Sequence, residues 1–263
     1  MGYETMGYEV RNNVAWITFN RPDALNAINA QATREFYQIV NRVSGDRSVR
    51  AVVLTGSGDR AFCAGGDVAE FAEKGDKVDS LVREMTGELH VGISRLAWLP
   101  APVIAAVNGV AAGAGLSFAA CCDLAIAADT AKFTSAYTKI GLTPDGSSTF
   151  FLNRILGRRR VMEMYMTNRV LSAQEALDWG LVNRVVPAAD LMSEVTKLAT
   201  ELASGPTRAY GGIKKLVMMS PNDTLESQME RETRVIAEMA TTMDAREGIA
   251  AFVAKRKAAF SGE

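Results

Sequence analysis

The sequence predicts an α/β fold. Strand-like and helix-like segments alternate through the first 150 residues, an order typical of α/β proteins. The predicted strands are short apolar runs bounded by turn residues, which indicates that most of them are buried. After about residue 150 the pattern becomes helical. We therefore expect a core to about residue 200, followed by a helical extension.

Each predicted element has a local reason. Residues 14–19 are β-branched and aromatic, which favours a strand, and Asn29 can cap a helix that runs to about residue 43. Gly-containing residues 61–67 are predicted to form a loop. The other predicted strands are 49–55, 102–107, 124–127 and a short segment at Phe133. The other predicted helices are 78–99, 111–122, 146–156, 158–167, 172–179, 188–203, 207–219, 222–240 and 244–258.

Composition excludes several classes of protein. The 263 residues carry a formal net charge of −1, so a generally basic nucleic-acid binder is not expected. One His and three Cys argue against a His/Cys zinc site, and we expect no metal. Residues 96–122 lack charge, but prolines and glycines interrupt them, so no membrane span is expected. The N-terminus lacks a secretory apolar region, which favours a cytoplasmic location.

Two Gly-rich loops carry the first chemical signal. Residues 64–67 read Ala-Gly-Gly-Asp, and residues 113–115 read Gly-Ala-Gly at the start of a predicted helix. Free backbone N–H groups at such loops can stabilise an oxyanion if the loops converge. The same Gly-rich sequences are also typical of tight turns and of close helix packing, neither of which involves a ligand.

Longer segments that include these loops resemble the sequence of a known superfamily. Residues 20–28 (NRPDALNAI), 52–71, 102–133 and 136–149, together with the tail 244–260, resemble the crotonase (enoyl-CoA hydratase/isomerase) superfamily. The resemblance implies a ββα spiral core in residues 1–200 and a helical region, 201–263, that forms trimers or hexamers and contacts CoA. It implies an acyl-CoA substrate and no tightly bound cofactor beyond the CoA of that substrate. The charge and the interrupted apolar stretch described above lead us to expect no nucleic-acid partner and no membrane.

The resemblance also assigns site residues. The oxyanion would be held by the backbone N–H groups of Gly66 and Ala114, and Tyr137 would help to shape the acyl pocket. The CoA contacts would come from Leu25, Ala27, Ala64, Gly65, Asp67, Val68, Phe252 and Lys255. Without the family frame, Phe252 and Lys255 would be read as a core aromatic residue beside a solvated charge.

The catalytic acids differ from those of hydratases. The resemblance implies that the two hydratase glutamates are replaced here by Ser117 and Tyr137, which are poor acid–base groups at neutral pH. Asp145 stands where double-bond isomerases of the family carry an acid. Pro-Asp-Gly is also a good turn and cap sequence, so Asp145 could instead cap the following helix. We expect an enoyl-CoA isomerase with Asp145 as acid and base.

Three alternatives remain. The 4-chlorobenzoyl-CoA dehalogenase branch uses an Asp at this place as a nucleophile and a His in the preceding helix, where this chain has its single His90. His90 could equally be an ordinary residue that lines or flanks the pocket. A hydratase, or a non-catalytic CoA- or RNA-binding member, would be the remaining cases. The basic clusters 158–160 and 255–257 lack the aromatic residues that accompany RNA contacts.

Overall fold

The computed structural model describes residues 2–263, so Met1, the first residue of the predicted core region, lies outside the described part. The strands are Met6–Arg11 (β1), Val14–Phe19 (β2), Ala51–Gly56 (β3), Ala61–Cys63 (β4), Val103–Val107 (β5), Val110–Ala112 (β6), Leu124–Ala128 (β7), Lys132–Thr134 (β8), Leu171–Ser172 (β9) and Arg184–Val186 (β10). The α-helices are Ala30–Gly45 (α1), Val68–Lys74 (α2), Val78–Trp98 (α3), Ala114–Cys121 (α4), Ser148–Leu156 (α5), Arg158–Thr167 (α6), Ala173–Trp179 (α7), Leu191–Ala203 (α8), Thr207–Met219 (α9), Leu225–Met239 (α10) and Met243–Val253 (α11).

The strands form two sheets. The larger sheet has the order β1-β2-β3-β5-β7-β10 and is parallel except for the antiparallel pair β1-β2. The smaller sheet has the order β4-β6-β8-β9. Three times the chain leaves a strand of the larger sheet and enters the smaller one, from β3 to β4, β5 to β6 and β7 to β8. This repeated step is the α/β arrangement that the sequence predicts.

Both faces of the larger sheet are covered, which explains its apolar strands. Along β3, Val52 and Leu54 face the main core, which also holds the central aromatic side chains. Ala51 and Val53 point to the opposite face, where they pack with α8. The main aromatic cluster consists of Phe19, Phe36, Phe62 and Phe118, whose ring centroids are separated by 4.8–5.3 Å.

The sequence predictions fail mainly at short elements. Residues 61–67, predicted as a loop, begin with strand β4, and the predicted helix 111–122 is strand β6 followed by α4. The segments β1, β10 and α2 were not predicted, and the terminal helix ends at Val253 rather than at residue 258. A three-residue strand has no detectable period of its own and forms because a neighbouring strand pairs with it. The predicted cap of α1 is confirmed, since Asn29 accepts from the Ala32 N–H at 2.9 Å.

Polar anchors tie the C-terminal helices to the core. Lys214 on α9 donates to Asp123 Oδ2 at 2.6 Å and to the Ala101 carbonyl at 3.2 Å, and Asp123 also accepts from the Val103 N–H. Burial raises the pKa of Asp123, which Lys214 partly offsets. Arg50 supplies a second anchor through hydrogen bonds to backbone carbonyls near both ends of the C-terminal region.

Within residues 2–263, no helix is both long and apolar enough to cross a membrane.

We predict that Lys214→Ala lowers the free energy of unfolding by about 3 kcal/mol, because it leaves Asp123 as a largely buried charge without its partner. Urea denaturation followed by circular dichroism measures this change. Arg234→Ala, which removes an exposed i,i+4 pair with Glu230, is the matched control and should cost less than about 0.5 kcal/mol. Equal effects of the two variants would contradict the anchor.

Candidate active site

The two Gly-rich loops meet because β4 pairs with β6 in the smaller sheet. Gly65 has φ +103° and Gly113 has φ +52°, both in the left-handed region that favours glycine. A Cβ added to Gly65 would lie 3.4 Å from the Gly113 Cα, so the loops are in backbone contact. A Cβ added to Gly115 would lie 1.9 Å from the Cys63 carbonyl oxygen. The start of α4 can therefore lie against the end of β4 only because that residue is glycine.

The backbone amides of Gly66 and Ala114 are free at this junction. Ile28 bonds to the residues on either side of Gly66, through its N–H to the Gly65 carbonyl and its carbonyl to the Asp67 N–H. Because peptide groups alternate in direction along an extended segment, the Gly66 N–H points away from Ile28. Ala114 is the first residue of α4, where N–H groups have no partner within the helix. Neither amide donates to any acceptor among the described residues.

These amides line a cavity of about 360 Å³ between α2, α3 and the segment 136–145. Its walls are mainly apolar, and Asp145 is the one carboxylate among the described residues that line it. The lining residues are Ile28, Ala64, Gly65, Gly66, Val68, Phe71, Val82, Met85, Thr86, Leu89, Gly113, Ala114, Ala136, Tyr137, Lys139, Ile140, Leu142, Thr143 and Asp145. Two free amides and one carboxylate therefore share a single apolar chamber.

Asp145 is held by its backbone and leaves its carboxylate available. The Asp145 carbonyl accepts from the Ser117 hydroxyl at 3.0 Å and from the Ser148 N–H at 3.2 Å. The carboxylate accepts from the Tyr137 hydroxyl at 2.7 Å through Oδ1. Helix α5, which begins at Ser148, has no side-chain cap. The alternative that Asp145 serves as a side-chain helix cap is therefore wrong.

Ser117 and Tyr137 act on Asp145 rather than as acids of their own. The fully buried Ser117 hydroxyl lies 3.3 Å from the Tyr137 hydroxyl, in addition to its bond to the Asp145 carbonyl. Burial raises the pKa of Tyr137, and the nearby Asp145 carboxylate raises it further. Tyr137 therefore stays protonated and remains a hydrogen-bond donor. Neither residue supplies the second acid–base group that addition of water requires.

His90 lies next to the carboxylate. Its Nε2 is 3.6 Å from Asp145 Oδ2 and accepts from the Gly146 N–H at 3.2 Å. The side chain is half exposed and borders a second cavity of about 540 Å³ between α3, α5 and the C-terminal helices. From the sequence, His90 is either a catalytic base or an ordinary residue that lines or flanks the pocket. This contact was not indicated, because it depends on the packing of α3 against the segment 143–148.

The predicted CoA-binding residues divide into two groups. Ala64, Gly65 and Val68, which belong to the segment 64–68, line the cavity. The Leu25 carbonyl accepts from the Ala64 N–H at 3.1 Å, which places Leu25 beside this segment. Ala27 follows two residues later in the chain. Neither Leu25 nor Ala27 lines the cavity.

Three other predicted residues do not line the cavity. Asp67 caps α2 and forms an ion pair with Arg21 at 2.8 Å. Phe252, near the end of α11, is 84% exposed, and Lys255, just beyond the helix, is also exposed. The predicted contacts of Phe252 and Lys255 with CoA are therefore not made from within this cavity.

From the sequence, residues 72–99 are expected to shape the acyl pocket, but the side chains that do so are not identified. Val82, Met85 and Leu89 of α3 face the cavity at helical spacing. Their spacing is a visible signal of an apolar helix face, but the same pattern is typical of a helix that packs on the core. Only the position of α3 over the two loops distinguishes these possibilities.

The chain is similar to a known protein family and to several known proteins over most of its length. A family model described as enoyl-CoA hydratase/isomerase matches residues 9–263. The chain is 38% identical over 262 residues to a probable enoyl-CoA hydratase of Rhodobacter capsulatus, with 100% of both chains covered. It is 37% identical to the 1,2-epoxyphenylacetyl-CoA isomerase of Escherichia coli, over 97% of each chain. It is 40% identical to 4-chlorobenzoyl coenzyme A dehalogenase-2 of an Arthrobacter species, over 86% of this chain and 82% of the relative.

Solved structures agree with these relatives. The crystal structure of an enoyl-CoA hydratase/isomerase from Mycobacterium abscessus superposes with a TM-score of 0.93 at 33% identity, covering 98% of this chain and 100% of that one. The resemblance inferred from the sequence and the predicted fold class are confirmed. The chain belongs to the enoyl-CoA hydratase/isomerase family, whose enzymes act on CoA thioesters.

Proposed function

We propose that the protein is an enoyl-CoA isomerase that moves a double bond from the β,γ to the α,β position of an acyl-CoA. The observation that carries this proposal is the presence of one carboxylate, Asp145, in an apolar cavity beside the free amides of Gly66 and Ala114. A 1,3-proton shift needs one acid–base group and a stabilised enolate, whereas addition of water to a double bond needs a second such group.

The proposed reaction begins at the thioester. Its carbonyl oxygen accepts hydrogen bonds from the Gly66 and Ala114 N–H groups. Asp145 takes a proton from the α-carbon, and the electron pair of the broken C–H bond forms a dienolate whose negative charge rests on that oxygen. The protonated Asp145 then donates to the γ-carbon, which forms a new C–H bond and leaves the double bond between the α- and β-carbons. One carboxyl group suffices because both carbons lie on the same face of the substrate.

The neighbours of Asp145 support this role. Ser117 and Ser148 hold its backbone, and Tyr137 orients the carboxylate without removing its ability to accept a proton. Pre-organised groups of this kind lower the cost of reaching the transition state. The Escherichia coli relative is likewise named an isomerase of a CoA thioester, but its named substrate is an epoxide and not a β,γ-enoyl-CoA.

A dehalogenase-like hydrolase is the second candidate. It is favoured by the 3.6 Å contact between His90 and Asp145 and by the similarity to the Arthrobacter dehalogenase. In that case Asp145 would attack an aromatic ring carbon, and halide would leave to give an aryl ester of Asp145. His90 would activate a water that attacks the Asp145 carboxyl carbon, which breaks the ester, releases a hydroxybenzoyl-CoA and restores the carboxylate. In the structure, His90 Nε2 accepts a hydrogen bond from the Gly146 N–H and lies beside the carboxylate, which both candidates must accommodate. A hydratase would need a second acid–base group beside Asp145, and a non-catalytic member would need no reaction at Asp145.

We further propose that Phe252 and Lys255 contact the adenine and phosphate end of CoA, and that the chain forms a homotrimer or a pair of trimers. Exposed apolar side chains on the C-terminal helices support an interface there: Ile213, Val217, Leu225, Met229, Ile236, Met243, Ile249, Phe252 and Val253. The division of the chain at residue 200 into a spiral core and a helical region stays a prediction. The cytoplasmic location and the absence of a nucleic-acid partner also stay predictions.

Asp145→Asn should lower isomerase turnover about 10³-fold, because an amide cannot take up and return a proton. The conversion of β,γ-enoyl-CoA into the α,β isomer is followed by ultraviolet absorbance, and acyl-CoA affinity is followed by calorimetry. Affinity should be retained, because Asn preserves the shape of Asp. The exposed Asp178→Asn on α7 is the matched control and should keep wild-type turnover. Near-wild-type turnover in Asp145→Asn would refute the proposal.

Incubation with 4-halobenzoyl-CoA separates the two candidates. The isomerase proposal predicts no halide release and no mass added to the protein. The hydrolase alternative predicts release of one halide per substrate and, in His90→Ala, an arylated Asp145 that accumulates because water is no longer activated. Mass spectrometry of the quenched protein and a halide electrode measure these outcomes. A covalent adduct on Asp145 would replace the isomerase proposal with the hydrolase.

Lys255→Ala should weaken CoA binding about tenfold, because a charge-assisted hydrogen bond to phosphate is lost. The neighbouring exposed Lys257→Ala is the matched control for general electrostatic attraction. Calorimetry at moderate salt measures both variants, and circular dichroism checks their folding. Affinity that falls equally in both variants would argue for a diffuse charge effect instead of a contact by Lys255.

A further inference from the structure

We propose that His90 is a proton relay between Asp145 and the solvent of the second cavity, so that part of the hydrogen delivered to the γ-carbon comes from water. This inference rests on the proposed isomerase and adds a residue to it. His90 would act through Asp145, without touching the substrate.

The carboxyl group of Asp145 lies between two cavities. Asp145 lines the cavity that contains the Gly66 and Ala114 amides, and His90 does not. His90 lines the second cavity, together with residues such as Ser94, Trp98, Phe150, Met219 and Arg231. The contact between Oδ2 and Nε2 at 3.6 Å is where the two cavities approach each other. A proton that reaches His90 has therefore left the substrate cavity.

The backbone sets the starting state of the imidazole. Gly146 donates its N–H to His90 Nε2, so this nitrogen carries a lone pair and the proton of the neutral ring is on Nδ1. Gly146 has φ +59°, and a Cβ there would lie 3.0 Å from the Ser117 Cβ and 3.5 Å from the Ile93 Cδ1. The tight packing fixes the direction of the N–H. The nitrogen that faces Asp145 is therefore the one that can accept a proton.

The proton transfer balances without any further reactant. After Asp145 has taken the α-proton, its O–H becomes a second donor near Nε2, and the imidazole can turn from Gly146 toward it. The O–H bond breaks, an N–H bond forms at Nε2, and the ring becomes an imidazolium. When the ring turns Nε2 toward the second cavity, water takes up this hydrogen as a proton and supplies another in its place. Return of a proton from the ring to Asp145 restores the acid that protonates the γ-carbon. Asp223, the carboxylate that lines this cavity, is already paired with Arg231 at 2.6 Å, so the acceptor in the proposed relay is water.

The test follows the origin of the transferred hydrogen. A β,γ-enoyl-CoA with deuterium at the α-carbon is converted in ordinary water, and mass spectrometry gives the share of product that has deuterium at the γ-carbon. Wild-type protein should retain little of this label, because exchange through His90 competes with reprotonation. In His90→Gln the retained share should rise about threefold or more, since glutamine can still accept from Gly146 but cannot relay a proton.

Two further measurements make the result specific. Ser94→Ala, one turn along α3 and lining the same cavity, should keep the wild-type share of label. Added imidazole should restore exchange in His90→Ala, because the half-exposed site admits it. An equal share of label in wild type, His90→Gln and His90→Ala would overturn the relay while leaving the isomerase intact. A wild-type protein that does not isomerise the substrate would instead refute the proposed function.

Discussion

The backbone contact between the two Gly-rich loops is the constraint on which the site depends. The pairing of β4 with β6 brings the loops together. Glycines at positions 65, 113 and 115 allow the two backbone segments to touch without side chains between them. The free amides of Gly66 and Ala114 then face one cavity. Because each amide is held by a different sheet-to-helix connection, the pair has a fixed spacing that a single loop would not provide.

The hydrogen bonds around Asp145 converge on one carboxylate of the cavity. At the two positions where the resemblance implies glutamates in hydratases, this chain has Ser117 and Tyr137, and both are directed at Asp145. The serine fixes the backbone of Asp145 and the tyrosine fixes its carboxylate. The substitutions thus remove two acids and use their positions to orient a third. The arrangement is consistent with proton transfer by one group, and it leaves one side of that group open to His90.

The C-terminal helices depend on the core in a different way. Lys214 and Arg50 attach them through charged side chains that reach core groups, while their outward faces carry many exposed apolar residues. Attachment by a few buried polar contacts orients the helices and leaves their apolar faces available. The exposed positions of Phe252 and Lys255 fit this division, since neither lines the cavity of its own chain.

The sequence by itself determined the fold class, the family, the two loops and the candidate acid, because each depends on residues that are close together in the chain. The strands β2, β3 and β5 are recognisable from their own apolar composition, and Asp145 from its motif. Tertiary structure alone decided that β4 and β6 are strands, that Val82, Met85 and Leu89 are the side chains of α3 that line the cavity, and that His90 touches Asp145. Short strands form by pairing, and the His90 contact joins residues 55 positions apart, so no local pattern could indicate either.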